Sequence, residues 1–170
     1  MQKKIQDAIN VQINAEIYSA YLYLSMAAYF DSKGLAGFAN WMKTQYQEEM
    51  AHAMKFYDYT YERGGEVILQ AISAPPTSFK SPLHVFEESL KHEQMVSNLI
   101  NNLYELAIKE KDYAFKSFLK WYIDEQVEEE GSAQVVVDKI KLAGEEGPGL
   151  FMLDKELGAR VFTPPAQEEK

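Results

Sequence analysis

Four glutamates and one histidine fall where the helical repeat of this chain asks for apolar side chains. At alternating steps of three and four residues, one inward stripe reads Ile9, Ile13, Glu16, Ala20, Tyr23, Ala27, Phe30. A second reads Phe38, Met42, Gln45, Glu49, His52, Phe56, Tyr59, which puts Glu49 and His52 one turn apart on a single face. A third, Phe86, Leu90, Glu93, Val96, Ile100, Leu103, and a fourth, Phe118, Tyr122, Gln126, Glu129, Ala133, Val136, Ile140, each carry one acid near mid-length. In an aligned bundle these four carboxylates and His52 converge in one small volume. Buried and ionised, each would cost several kcal/mol, so protons or cations must neutralise them. No lysine or arginine lies on the stripes at that level, whereas two divalent cations would balance the four acids. Oxygen-rich ligation with one imidazole and no sulfur suits iron or manganese better than zinc, although affinity order alone excludes neither zinc nor copper. An anionic oxygen shell stabilises the ferric state, so with iron the expected chemistry is Fe(II) oxidation by O2.

Stripes of this length require long helices. The spacing predicts one from about Gln2 to Ser32, stopped at Gly34, and a second from about Ala36 to Glu62, stopped at Gly64 and Gly65. So short a turn makes the two antiparallel. Ser81 and Pro82 read as the N-cap and first residue of a third helix reaching Lys111, and Asp112 as the cap of a fourth reaching Ala143 and Gly144. Between the hairpins, Gly65 to Lys80 shows no helical repeat. Extended, its roughly 16 residues span about 50 Å, against about 45 Å for a helix of 30 residues. The segment can therefore run the length of the bundle and leave the second and third helices parallel. Leu150 to Arg160 reads as a short fifth helix. The fold expected is all-α, a four-helix bundle with one long crossover loop and a short C-terminal helix.

The bulk properties narrow the chemistry further. A chain of 170 residues with 46% hydrophobic side chains suits one compact domain. It holds 26 acidic against 17 basic residues, a formal charge of −9, which disfavours general electrostatic binding to nucleic acid or anionic membrane. Without cysteine there is no disulfide, thiolate zinc site, Cys-ligated iron–sulfur cluster or cysteine nucleophile. The first residues pass straight into an amphipathic pattern containing Asp7 and Asn10, unlike a signal peptide, and no 18-residue apolar run occurs. The expected location is cytoplasmic, with no membrane and no nucleic-acid partner.

From about Met1 to Leu157 the sequence resembles prokaryotic non-haem ferritins. The resemblance rests on Asn14-Ala15-Glu16-Ile17-Tyr18-Ser19-Ala20-Tyr21-Leu22-Tyr23, on Glu48-Glu49-Met50-Ala51-His52 and on Lys91-His92-Glu93-Gln94. It rests also on Trp121 through Glu130, with Glu125, Gln126, Glu128 and Glu129 in place, and on Leu150 through Leu157. It implies that Glu16, Glu49 and His52 hold a first iron, and that Glu49 bridges to a second held by Glu93 and Glu129, giving two Fe per subunit. Tyr23 and Gln126 are implied as near neighbours. Glu48, Glu125 and Glu128, with Glu129, are implied as a third iron position on the cavity side. It further implies a homo-oligomer, a hollow 24-subunit shell with the fifth helix at its four-fold axis and ferric oxide inside, acting on Fe(II) with O2 or H2O2. Residues 1–160 are then one ferritin-like di-iron domain and 161–170 a disordered tail. The chain departs from bacterioferritins, whose fourth helix carries a second Glu-x-x-His. Here Glu125 is followed by Glu128 and no histidine follows His92, so haem is not expected, although Met50 stands where that family ligates it. Rubrerythrins need four cysteines that are absent.

Several of these residues have plainer readings. His84, in the first turn of the third helix, and His92, off its stripe, read as surface or interface residues. In the run Glu128-Glu129-Glu130 only Glu129 falls on a stripe, so the others fit a solvated face as well as a ligand set. Tyr23 reads as core packing with its hydroxyl on a carboxylate, or as an electron donor, and Trp121 is open between the same two roles. Tyr18, Tyr21, Tyr29 and the Val67 to Leu69 stretch read as packing or subunit contacts. At the level of function, a di-iron oxidase or peroxidase that stores nothing, and a shell subunit without a working site, stand beside iron storage.

Overall fold

The computed structural model describes residues 1–164 and contains helices α1 (Lys3–Ser32), α2 (Ala36–Glu62), α3 (Pro82–Lys109), α4 (Tyr113–Ala143) and α5 (Gly147–Leu157). Among the described residues there is no strand, and no helix is long and apolar enough to cross a membrane. The tail expected to be disordered lies, from residue 165 onward, outside the described residues.

The caps anticipated from the sequence are present. Ser81 Oγ accepts from the His84 amide at 3.2 Å, with Pro82 opening α3, and Asp112 Oδ1 accepts from the Phe115 amide at 3.0 Å. Gly34 ends the first hairpin helix with φ +73°, a conformation open to glycine without a Cβ penalty. α3 stops at Lys109, two residues earlier than expected, because Lys111 is left-handed at φ +57° and so breaks the helix. α5 starts at Gly147, three residues earlier than expected. Pro148 is accommodated there because a proline in the first turn sacrifices no helical hydrogen bond.

α2 has no side-chain cap of its own at Leu35, and α5 supplies one. Asp154 Oδ1 accepts from the amides of Gly37 and Phe38 at 2.8 and 3.0 Å, placing a carboxylate at a helix N-terminus. The approach is close enough to need a glycine: a Cβ at Gly37 would fall 1.6 Å from the Asp154 carbonyl oxygen.

The crossover runs along α1. Asn10 accepts from the Ile68 amide and donates to the Glu66 carbonyl, Asn14 donates to the Ala71 carbonyl, Ser25 donates to the Pro76 carbonyl, and Tyr29 packs edge-on against Phe79. These partners climb α1 from residue 10 to residue 29, so the loop delivers the chain to the far end of the bundle. There Phe86 at the start of α3 packs on Phe30, Phe38 and Trp41. α3 therefore runs antiparallel to α1 and parallel to α2. At the other end Arg63 pairs with Asp112 at 3.1 Å, and Tyr59 stacks on Phe118.

The apolar core is divided. One cluster gathers Leu22, Met26, Phe30, Phe38, Met42, Phe86, Val136 and Ile140 with Leu150, Leu153 and Leu157 of α5. The other gathers Ile5, Ile9, Ile13, Phe56, Tyr59, Val96, Ile100, Phe115, Leu119 and Tyr122. Two residues on the expected stripes, Leu90 and Phe118, are only half buried, while their neighbours Ser89 and Leu119 turn fully inward. A repeat of 3.6 residues drifts against alternating steps of three and four, so the inward position slides by one toward the helix ends.

Candidate metal centre

Between the two apolar clusters lies a polar layer to which all four long helices contribute. Glu16, Glu49, His52, Glu93 and Glu129 are each no more than 5% exposed. Single ligand atoms of Glu16, Glu49 and His52 lie within 4.8 Å of one another, and so do those of His52, Glu125 and Glu129. His52 belongs to both groups. Its Nδ1 lies 3.6 Å from Glu49 Oε2 and its Nε2 lies 3.9 Å from Glu125 Oε1.

Neighbouring side chains hold these groups unequally. Gln12, one turn before Glu16, donates to Glu16 Oε1 at 2.8 Å. Glu93 receives the Tyr23 hydroxyl on Oε1 and the Gln126 amide on Oε2, the latter at 3.2 Å. Tyr23 is further fixed by Ser89 Oγ at 3.0 Å. Gln45 donates to Glu129 Oε2. The backbone carbonyl of His52 accepts the Tyr122 hydroxyl at 2.7 Å, and its ring meets Trp121 edge-on at 5.4 Å. Against this, Glu16 Oε2 and Glu49 Oε2 are buried with no hydrogen bond from any other described residue, and within the chain a proton shared between these two carboxyls is what can relieve them. An unpartnered buried acceptor is costly, and two beside one imidazole mark where a cation or proton belongs.

The electrostatics follow from burial and crowding. Desolvation raises Glu16 from 4.5 to about 7, partly opposed by Gln12. Desolvation, reinforced by the charges of Glu93, Glu16 and Glu129, lifts Glu49 well above the carboxylate range. Glu129 rises to about 8, through desolvation and the Glu93 charge. Glu93 rises too, through desolvation opposed by its bonds from Tyr23 and Gln126. His52 falls to about 4, through desolvation and then the Lys55 charge, so its imidazole is neutral at pH 7 and free to ligate. Burial and crowding thus favour protons on the acids around a neutral imidazole, protons that can be exchanged for divalent cations.

The outer residues are more dispersed. Glu125 is half-buried and raised by desolvation and by the charges of Glu128 and Glu48. Glu128 is exposed. Glu48 is half-buried and ion-paired to Arg160 at 2.5 Å. His84 is half-buried at the start of α3, but the surface reading of His92 is wrong. His92 is 8% exposed, its Nε2 is 2.8 Å from Ser19 Oγ, and its ring meets Tyr23 edge-on at 6.3 Å. It lies beside the stripe on the α1–α3 seam, where neighbouring helices bury more than one column of residues. Sequence reasoning also passed over Gln12, whose signal was its place one turn before Glu16, and Arg160, which lies on no stripe and gave no signal.

A sequence profile described as the ferritin-like domain matches residues 6–143. The chain is 49% identical over 160 residues to a protein named bacterial non-heme ferritin from Bacteroides fragilis, covering 94% of this chain and 99% of that one. It is 44% identical over 162 residues to the protein of the same name from Staphylococcus saprophyticus, covering 95% of this chain and 97% of that one. Among solved structures, an engineered closed form of the Archaeoglobus fulgidus ferritin superposes with a TM-score of 0.94 at 55% identity, over 96% of this chain and 99% of that one. The ferritin of that archaeon described as having a novel open pore superposes with a TM-score of 0.93 at 55% identity, over 95% and 99%.

Proposed function

The chain belongs to the ferritin family and is an iron-storage protein with ferroxidase activity, and we propose that the polar layer at mid-bundle is where it oxidises Fe(II). In this reading Glu16, Glu49 and His52 receive one substrate ion, and Glu49, Glu93 and Glu129 receive a second, two per chain. The observation that carries it is the pair of buried oxygens, Glu16 Oε2 and Glu49 Oε2, that no other described residue satisfies, on two acids grouped with a neutral His52. Glu49, between the other three acids in its charge environment, is the group suited to bridge two ions.

Each arriving Fe(II) displaces protons from carboxyls that burial keeps protonated, so the layer changes from neutral acids to ligated anions with little change in net charge. Two ferrous ions held together can deliver two electrons to one O2 in a single encounter, which proximity favours over two separate collisions. H2O2 is an alternative two-electron acceptor at the same pair. Tyr23 and Gln126 orient Glu93, and Tyr23 lies one hydrogen bond from this ligand of the second ion, the position an electron donor would need. Glu48, Glu125 and Glu128, with Glu129, form an outer position through which oxidised ions leave the pair. A homo-oligomeric shell, a 24-mer, encloses the mineral; residues 1–160 are its single domain, and it works in the cytoplasm without haem.

The test is aerobic addition of about fifty Fe(II) per chain, far above the two a paired site can hold, followed by size exclusion. Tens of irons per chain eluting with a large particle are expected. About two per chain, with the remainder precipitated, would indicate an oxidase that stores nothing.

A further inference from the structure

No basic side chain lies on the four stripes at the level of the polar layer, yet one arrives from beyond α5. There the chain folds back over α2, held by Asn40, whose Nδ2 donates to the carbonyls of Leu157 and Gly158 at 3.4 Å and of Arg160 at 2.9 Å. The Arg160 guanidinium lies over the Trp41 ring, 4.3 Å from its centroid. Its Nη2 donates to Glu48 Oε2 at 2.5 Å and its Nη1 donates to Gln45 Oε1 at 2.8 Å. Gln45 in turn donates to Glu129 Oε2. A charged, rigid, five-donor fork is thereby wired to two acids at the α2–α4 edge of the layer, to one directly and to the other through a single amide.

We propose that Arg160 is a displaceable internal counter-cation, which holds Glu48 and, through Gln45, Glu129 until a metal ion at the outer position formed by Glu48, Glu125 and Glu128 with Glu129 takes its place. The inference rests on reading the polar layer as the iron site. A guanidinium and a divalent ion on one carboxylate repel each other, so the outer ion and the Arg160–Glu48 pair exclude one another. Gln45 makes the exchange more than local. With its carbonyl oxygen bound to Arg160, its amide N–H is aimed at Glu129; once the guanidinium leaves, that amide can rotate and Glu129 Oε2 becomes available to an ion. Arrival of the outer ion thus frees a ligand that belongs to the pair. Space for the withdrawn side chain adjoins it, in a cavity of about 560 Å³ lined by Trp41, Glu128, Glu156 and Arg160.

The experiment is calorimetric titration of the iron-free, full-length assembly with Zn²⁺, which oxidises nothing, comparing wild type with R160Q. The third Zn²⁺ per chain is expected to bind roughly ten-fold to a hundred-fold tighter in R160Q, the range for one charge-assisted hydrogen bond that no longer competes. The gain should vanish in the double variant E48Q/R160Q. A third affinity that is unchanged or weaker in R160Q, or no third ion in either protein, overturns the proposal. Wild-type crystals soaked to saturation in Zn²⁺ give a readout independent of how the variants fold. A third ion with Arg160 withdrawn from Glu48 supports the proposal, and a third ion with that pair intact overturns it. Failure of the first two Zn²⁺ ions to bind would instead overturn the paired-site reading.

Discussion

The two sides of the polar layer are finished differently. On the α1–α2 side, Glu16 and Glu49 each leave one buried oxygen without a donor beside His52. On the α3–α4 side, Glu93 accepts from Tyr23 and Gln126, and Glu129 accepts from Gln45. Glu93 lies outside both groups of closely spaced ligand atoms. The first side is a cluster of ligand atoms that only protons or a cation can satisfy. The second is a pair of carboxylates already oriented by neutral donors. A first ion should therefore enter by exchange for protons, while a second should require hydrogen bonds to be rearranged.

The strongest way to break this contrast is at Glu49, the residue proposed to serve both ions. Glu49→Ala should reduce fast Fe(II) oxidation to the uncatalysed background in stopped-flow absorbance, and oxidation at the wild-type rate would end the assignment. Next in size is the α3 side. Tyr23→Phe removes the hydroxyl that orients Glu93, and loss of such an outer partner typically costs roughly 10- to 100-fold in metal affinity or rate. The loss should fall on the second ion's binding isotherm and leave the first nearly unchanged; equal loss at both would erase the distinction between the two sides.

A pH series sharpens the picture of protonated acids. Glu16 and Glu129 have folded-state values of about 7 and about 8, raised above the ordinary 4.5. Their contribution to stability is full below that ordinary value and is lost as the pH rises through 7 and 8. His52 and His92 act with the opposite sign, being lowered from 6.5 to about 4, so their contribution is present above 6.5 and lost as the pH falls through 4. Above pH 6.5 only the acids still change. The iron-free protein should therefore lose on the order of 5 °C in thermal midpoint between pH 6.5 and 8.5, and saturating Zn²⁺ should abolish the slope. A flat profile without metal would mean that the acids are ionised in the folded chain. The smallest effect expected is that of Gln12→Leu, which removes the amide donor to Glu16 Oε1. First-ion affinity by titration should change by about three-fold, the lower part of the range for a neutral hydrogen bond.

The hairpins, the caps at Ser81 and Asp112, and the level shared by Glu16, Glu49, Glu93 and Glu129 were all legible from local signals. Periodicity reports which column of a helix faces inward, and glycine, proline and capping residues report where helices stop. The same signals erred where the answer depended on a neighbour. His92 is off the stripe of α3 but is covered by α1, and Leu90 yields its inward place to Ser89. α5 docks through Asp154, which caps α2 across more than a hundred residues of chain, a contact that no local pattern reports.

What the sequence determined by itself is therefore the set of polar groups brought to mid-bundle, because one side chain every three or four residues is a property of the helix and needs no partner. What only the tertiary structure decided is how each oxygen is satisfied. Glu93 with Tyr23, Glu129 with Gln45 and Arg160, and the donorless oxygens of Glu16 and Glu49 all depend on which helices and tail residues meet. Hydrogen bonds form over about 3 Å and in a fixed direction, so they are set by the packing of distant segments and leave no periodic trace in the chain.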